Sequence, residues 1–109
     1  MAKREKITDQ DILERLEEGS LIVNPRTARV VSITASRGER EIRPDKDRRK
    51  FRFVRITRPG RGGRVALHVL VWMAVHKKPV PPGYEVYHVD FKQLVHPDGI
   101  NNLDLRKLD

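Results

Sequence analysis

The 109-residue chain holds 23 Lys or Arg against 15 Asp or Glu, a formal net charge of +8, with 38% hydrophobic residues and no cysteine. That length fits one domain with a single core, and the missing cysteines exclude a disulfide framework and a thiolate zinc site. No apolar segment follows the basic N-terminus, so no signal peptide is expected, and the longest apolar run, residues 65–75, is interrupted by His68 and too short to span a bilayer.

Residues 1–7 read as a basic tail on a single domain covering residues 1–109, with a helix and hairpins over 8–64 and a helix and hairpin over 65–109. Thr8 with Asp11 three residues on resembles a capping box, Ile12, Leu13 and Leu16 recur at helical spacing, and Gly19 follows. This predicts a helix over 9–18 that docks by its Ile/Leu stripe, although Glu17 and Glu18 oppose the helix dipole. Residues 20–24 and 28–34, joined by a Pro-Arg turn, read as a β-hairpin. Residues 35–50 are charged without apolar period, so a loop is expected there, ordering on contact with a partner. Residues 51–57 read as a strand in which Arg52 and Arg55 cannot both face a core, and residues 58–63 as a mobile basic turn. That turn lacks the Lys-Ser/Thr ending of a phosphate-binding loop. Residues 65–67 complete a hairpin with 51–57, and the run from Val69 to Val75 reads as a helix stopped before Pro79. Residues 79–83 form a stiff connector. Tyr84–Asp90 and Ile100–Leu105 then read as two strands around a Pro97-Asp98-Gly99 turn.

The charge excess is local. Residues 37–64 hold twelve Lys or Arg and four Asp or Glu, and the rest of the chain is balanced. Arginine predominates, the side chain that grips phosphate and guanine edges with two hydrogen bonds. The candidate nucleic-acid contacts are Arg37, Arg40, Arg48, Arg49, Lys50, Arg52, Arg55, Arg58, Arg61 and Arg64. A solvated loop, or a patch facing an acidic protein, would have the same composition. Without an amphipathic helical period, this segment does not predict a membrane partner.

The four histidines differ in setting. His76 reads as a surface residue, His68 as a structural residue at the head of an apolar helix, and His96, beside Pro97, as either. Strand alternation puts Val86, His88 and Asp90 on one face, so Asp90 could hold the imidazole and Asn101 or Asn102 could bond it across the hairpin. Such a histidine can activate water as a general base, and a structural His–Asp–Asn network fits the same spacing.

The order Leu67-His68-Val-Leu-Val-Trp72, Pro82-Gly-Tyr-Glu-Val-Tyr-His-Val-Asp90 and Asn102-Leu103 resembles the HNH (His-Me finger) endonucleases of the phage and homing type. An opening helix, a Gly-Ser-Leu-Ile hairpin and an Arg-rich strand extend the resemblance over most of the chain. It implies a ββα finger beside one divalent ion, with His88 as general base, Asn102 bracing the histidine loop and His68 in support. The implied cofactor is Mg²⁺ or Mn²⁺ if the chain is catalytic and none otherwise. Tyr87 stands where the family has a ligand of Asp, Asn or His, and the sequence ends soon after the second strand, where a ligand-bearing helix is usual. Asp90, His96 and Asp98 are the candidate substitute ligands. The expected fold is therefore a small α+β domain of β-hairpins and two helices, with an HNH-like finger lacking its last helix. Two functions stand open: a nucleic-acid-cutting enzyme, or a degenerate HNH-like module that binds DNA or RNA or serves a larger nucleoprotein or viral assembly. The expected partner is nucleic acid, DNA ahead of RNA, and the expected setting is cytoplasmic, in a bacterial host or encoded by a phage, or virion-associated.

Overall fold

The computed structural model of the chain describes residues 5–46 and 51–108. Helix α1 (Asp9–Glu18) starts at the anticipated capping box: Thr8 Oγ1 accepts from the Asp11 N–H at 3.2 Å, and the Asp11 carboxylate accepts the Thr8 N–H at 2.9 Å. Gly19 ends it at φ 80°, a left-handed conformation that a side chain would strain. Ile12 is buried and Leu13 and Leu16 are half-buried, as the stripe requires. Arg15 lies on the same face, 3% exposed. Its guanidinium donates to Ser20 Oγ at 3.1 Å, Ser20 O at 2.8 Å, Ser32 Oγ at 2.8 Å and Thr57 O at 3.1 Å. All four are neutral acceptors, so a buried cation ties the helix to two sheets without an ion pair among the described residues. Glu18, on the wrong end of the dipole, is held with Glu14 by Arg58 at 2.9 and 2.7 Å.

Strands β2 (Leu21–Val23) and β3 (Val30–Thr34) form the expected hairpin, and Asn24 Oδ1 closes its turn by accepting from the N–H groups of Arg26 and Thr27. The loop expected over residues 35–50 is corrected over 38–42 and 45–46, and residues 47–50 lie outside the described residues. Residues Gly38–Ile42 form β4, antiparallel to β3 from Val30↔Ile42 to Thr34↔Gly38. Residues 38–41 are all exposed, so no alternation of apolar side chains announced the strand; backbone pairing to β3 alone defines it.

The mobile turn expected over 58–63 is also corrected. Strand β6 (Arg52–Arg58) pairs with β7 (Arg61–Ala66) from Phe53↔Ala66 to Arg58↔Arg61, which leaves only Pro59 and Gly60 to turn. Gly63 of β7 serves packing: the short β1 (Glu5–Lys6) runs parallel to the strand, and a Cβ on Gly63 would meet Ile7 Cγ2 at 3.0 Å. With β5 (Asp45–Lys46) on the far side, the sheet order is β1-β7-β6-β5. Arg48, Arg49 and Lys50 lie outside the described residues, as does most of the basic tail.

Helix α2 (Leu67–His76) is the centre of the core. Leu67, Leu70, Val71, Trp72 and Met73 are buried among Ile12, Leu21, Val30, Val54, Ile56, Val86 and Leu103. Burial of each large apolar side chain contributes about 1.5–3 kcal/mol, enough to hold three small sheets around one helix. Lys77, at φ 56°, ends it ahead of Pro79. Strands β8 (Tyr84–His88) and β9 (Leu103–Lys107) pair antiparallel from Tyr84↔Lys107 to His88↔Leu103. Residues 100–102, expected to open the second strand, instead form one 3₁₀ turn.

Candidate active site

His88 is the last residue of β8, 9% exposed, and faces α2. Its hydrogen-bond partner is Asp98, not Asp90: Nε2 and Oδ1 are 2.7 Å apart and both side chains are buried. The strand stops at His88, so alternation does not extend to Asp90, which is exposed and caps its own turn by accepting the Lys92 N–H at 2.9 Å. Asp98 Oδ2 also faces Arg52 Nε at 4.0 Å, which explains why a carboxylate tolerates burial here.

His68, at the head of α2, brings its ring centroid to 4.7 Å from that of His88. Phe51 lies against both rings, at 5.6 and 6.0 Å. Burial first, and then the neighbouring His88, hold the His68 pKa below the ordinary imidazole value, which keeps it neutral at pH 7. Its Nδ1 is buried without a hydrogen-bond partner among the described residues. His88 Nδ1 also bonds to no described residue, yet it is not among the sealed atoms.

Asn102 shapes the loop between the strands. The side chain is 3% exposed; Oδ1 accepts the Asp90 N–H at 2.9 Å, and Nδ2 donates to Asp90 O at 3.1 Å and Pro97 O at 2.9 Å. One amide thus pins both ends of the segment 90–97 and delivers Asp98 to His88. Gly99 docks the same loop on the β2–β3 turn: Ile100 N–H donates to Pro25 O at 2.7 Å, and a Cβ on Gly99 would lie 2.2 Å from Arg26 O. Gly99→Ala is accordingly expected to lower stability by about 1–3 kcal/mol, measured by urea unfolding, because backbone on both sides must move. An unchanged midpoint would refute the docking.

The structure therefore gathers His88, His68 and Asp98, with Asn102 behind them. His96 is exposed at φ 49° and Asp90 is turned away, so neither joins the cluster. His76 rests on Trp72 at 4.3 Å, on the surface. Tyr87 points from the opposite face of β8, where Arg106 lies 5.2 Å from its ring. A hard cation such as Mg²⁺ or Mn²⁺ asks for oxygen ligands. This cluster offers one carboxylate, already bonded to His88, and two imidazoles. These residues do not fit a resident hard cation. Sequence spacing missed Asp98 as the partner of His88, though its Pro-Asp-Gly setting marked a fixed turn. It also missed Arg15, which sits three residues from Ile12 on the buried face.

Of the described candidate contacts for nucleic acid, Arg58 is held by Glu14 and Glu18, and Arg61 by Asp11 at 2.9 Å and Glu5 at 3.4 Å. Arg64 lies over the Phe53 ring at 4.7 Å. Arg37, Arg40 and Arg55 are exposed and form no ion pair among the described residues. They line one cleft of about 810 Å³ between the β3–β4 hairpin and β6, with the buried Arg15 in its wall. The cleft does not reach His88. Strand β6 lies between them, with Arg52 beside Asp98 and Arg55 in the cleft on the opposite face of the strand, about 10 Å along it.

No family model matches the chain, and no curated protein matches it. Among solved structures it is similar to one described as DNA binding and cleavage by the HNH homing endonuclease I-HmuI, with a TM-score of 0.62 and 22% identity. The match covers 82% of this chain and 47% of the other, so the chain spans about half the length of that structure. At this identity the likeness establishes a fold: a small α+β domain, HNH-like, that carries His88, Asp98 and Asn102 on its terminal hairpin.

Proposed function

We propose that this protein binds nucleic acid, DNA ahead of RNA, through the cleft of Arg37, Arg40 and Arg55, and that His88, outside that cleft, serves as a general base for phosphodiester hydrolysis. The observation that supports binding is the set of three exposed arginines that share one cleft and form no ion pair among the described residues, the one acid of the lining, Glu18, being held by Arg58, on an HNH-like fold. Phosphate oxygens are the acceptors such a cluster suits. The His88–Asp98 pair supports hydrolysis. With its Nε2–H donated to Asp98, His88 keeps its lone pair on Nδ1, where it would take a proton from water as that oxygen attacks phosphorus. The Asp98 carboxylate would then stabilise the imidazolium, and solvent would protonate the departing oxygen.

A second reading, a module that binds without cutting, is favoured by a cluster that offers a single carboxylate, already bonded to His88, and by Tyr87, which leaves the opposite face of β8. Nicking of supercoiled plasmid, with Mg²⁺ and with Mn²⁺, separates the two. Hydrolysis predicts that His88→Ala lowers the rate about 10²–10⁴-fold while DNA affinity holds. Binding with no nicking by the native chain would assign the module, and nicking that survives His88→Ala would remove His88 as base.

A further inference from the structure

We propose that His68, His88 and Asp98 form a binding site for a borderline transition-metal ion of the Zn²⁺ class, a ligand set that shares only Asp98 with the candidate hard-cation ligands. Their ligand atoms lie within 4.8 Å of one another and come from three separate elements: the head of α2, the end of β8 and the loop before the 3₁₀ turn. Two imidazoles with one carboxylate suit Zn²⁺ far better than Mg²⁺, because nitrogen donors match borderline acids. With no cysteine in the chain, these are also the donor types available to hold such an ion.

A second observation points to a ligand. His68 has a buried Nδ1 that no described residue satisfies, although buried polar atoms are nearly always paired. An imidazole left incomplete, within reach of a second imidazole and a buried carboxylate, is what a metal site presents before the ion arrives. Metal bonds of about 2.0–2.2 Å place tetrahedral ligands about 3.3–3.6 Å apart. The cluster would therefore draw in by about 1 Å at its widest, and the 2.7 Å His88–Asp98 contact would open slightly. Three protein ligands leave a fourth position for water or a phosphate oxygen.

One consequence rests on the function proposed above. An ion on His88 would compete with its service as a base, so Zn²⁺ would inhibit hydrolysis rather than promote it. The site itself is independent of that reading and is tested by binding alone.

The experiment uses the untagged full chain, stripped with chelator and dialysed, titrated with ZnCl₂ by calorimetry and with CoCl₂ by visible absorption. One equivalent is expected, with intensified Co²⁺ bands of low coordination number. His68→Gln and Asp98→Asn should each weaken binding about 10-fold or more, whereas His76→Gln and His96→Gln, at exposed histidines, should leave it unchanged. Thermal melts without metal establish that each variant folds, and His88→Gln stands in for any that does not. Absence of stoichiometric binding by the native chain overturns the proposal. So does binding that survives both His68→Gln and Asp98→Asn, or that disappears with His76→Gln or His96→Gln.

Discussion

Replacing Arg37, Arg40 and Arg55 together by Gln is expected to weaken binding to duplex DNA by about 10²–10³-fold at 0.1 M salt. Each phosphate neutralised contributes a slope of about −0.9 to the dependence of log K on log salt, so each contact adds about 0.9 log units between 1 M and 0.1 M. Three contacts give about 2.7 log units, and the triple variant should lose that much affinity and that much slope. The fold should be unaffected, since these side chains are exposed and form no ion pair among the described residues. Arg58→Gln and Arg61→Gln provide the contrast. Their guanidiniums hold Glu14, Glu18 and Asp11 of α1, so they should alter thermal stability more than DNA affinity. Fluorescence anisotropy with a labelled duplex reads both quantities. A loss of less than about 3-fold in the triple variant would place nucleic acid elsewhere on the surface.

Asn102→Ala is expected to destabilise the domain by about 2–4 kcal/mol, a fall in Tm of about 10–20 °C for a chain of this size. The substitution leaves the Asp90 N–H, Asp90 O and Pro97 O without their side-chain partner where the loop closes over the core. The loop would then release Asp98, so the His88–Asp98 pair should loosen with it. Asn102→Asp tests the chemistry further. A carboxylate still accepts the Asp90 N–H, but it cannot donate to the two carbonyls and would face them with negative charge. Differential scanning calorimetry should therefore find the Asp variant no better than the Ala variant. A Tm within about 3 °C of the native protein for Asn102→Ala would show that the amide does not hold the loop.

Helix α1 was legible because its signals are local: Thr8, Asp11 and Gly19 cap it, and Ile12, Leu13 and Leu16 give its period. The paired strands β8 and β9 and the helix that ends before Pro79 were legible for the same reason. Strand β4 was not, since Gly38–Glu41 face solvent and only a neighbouring backbone makes them a strand. Nor was β7, where Gly62 and Gly63 read as a turn; the close approach of Ile7 explains Gly63. In the site, His88 stood out as a polar residue within a strand, but its partner did not. Asp90 is nearer in sequence, while Asp98 is nearer in space because the Asn102 amide folds the loop back. Which arginines are free was equally hidden. Arg58 and Arg61 look like Arg37 and Arg55 in sequence, and only the packing of α1 separates them.

Equilibrium binding of the native chain to a duplex of arbitrary sequence, followed from 50 to 200 mM salt, tests the proposed grip on the phosphate backbone most directly. Engagement of the three cleft arginines predicts a log–log slope of about −2.7 or steeper, an affinity drop of about 40-fold over that range, and the same slope in His88→Ala. A slope near zero, or no measurable association at 50 mM, would contradict it.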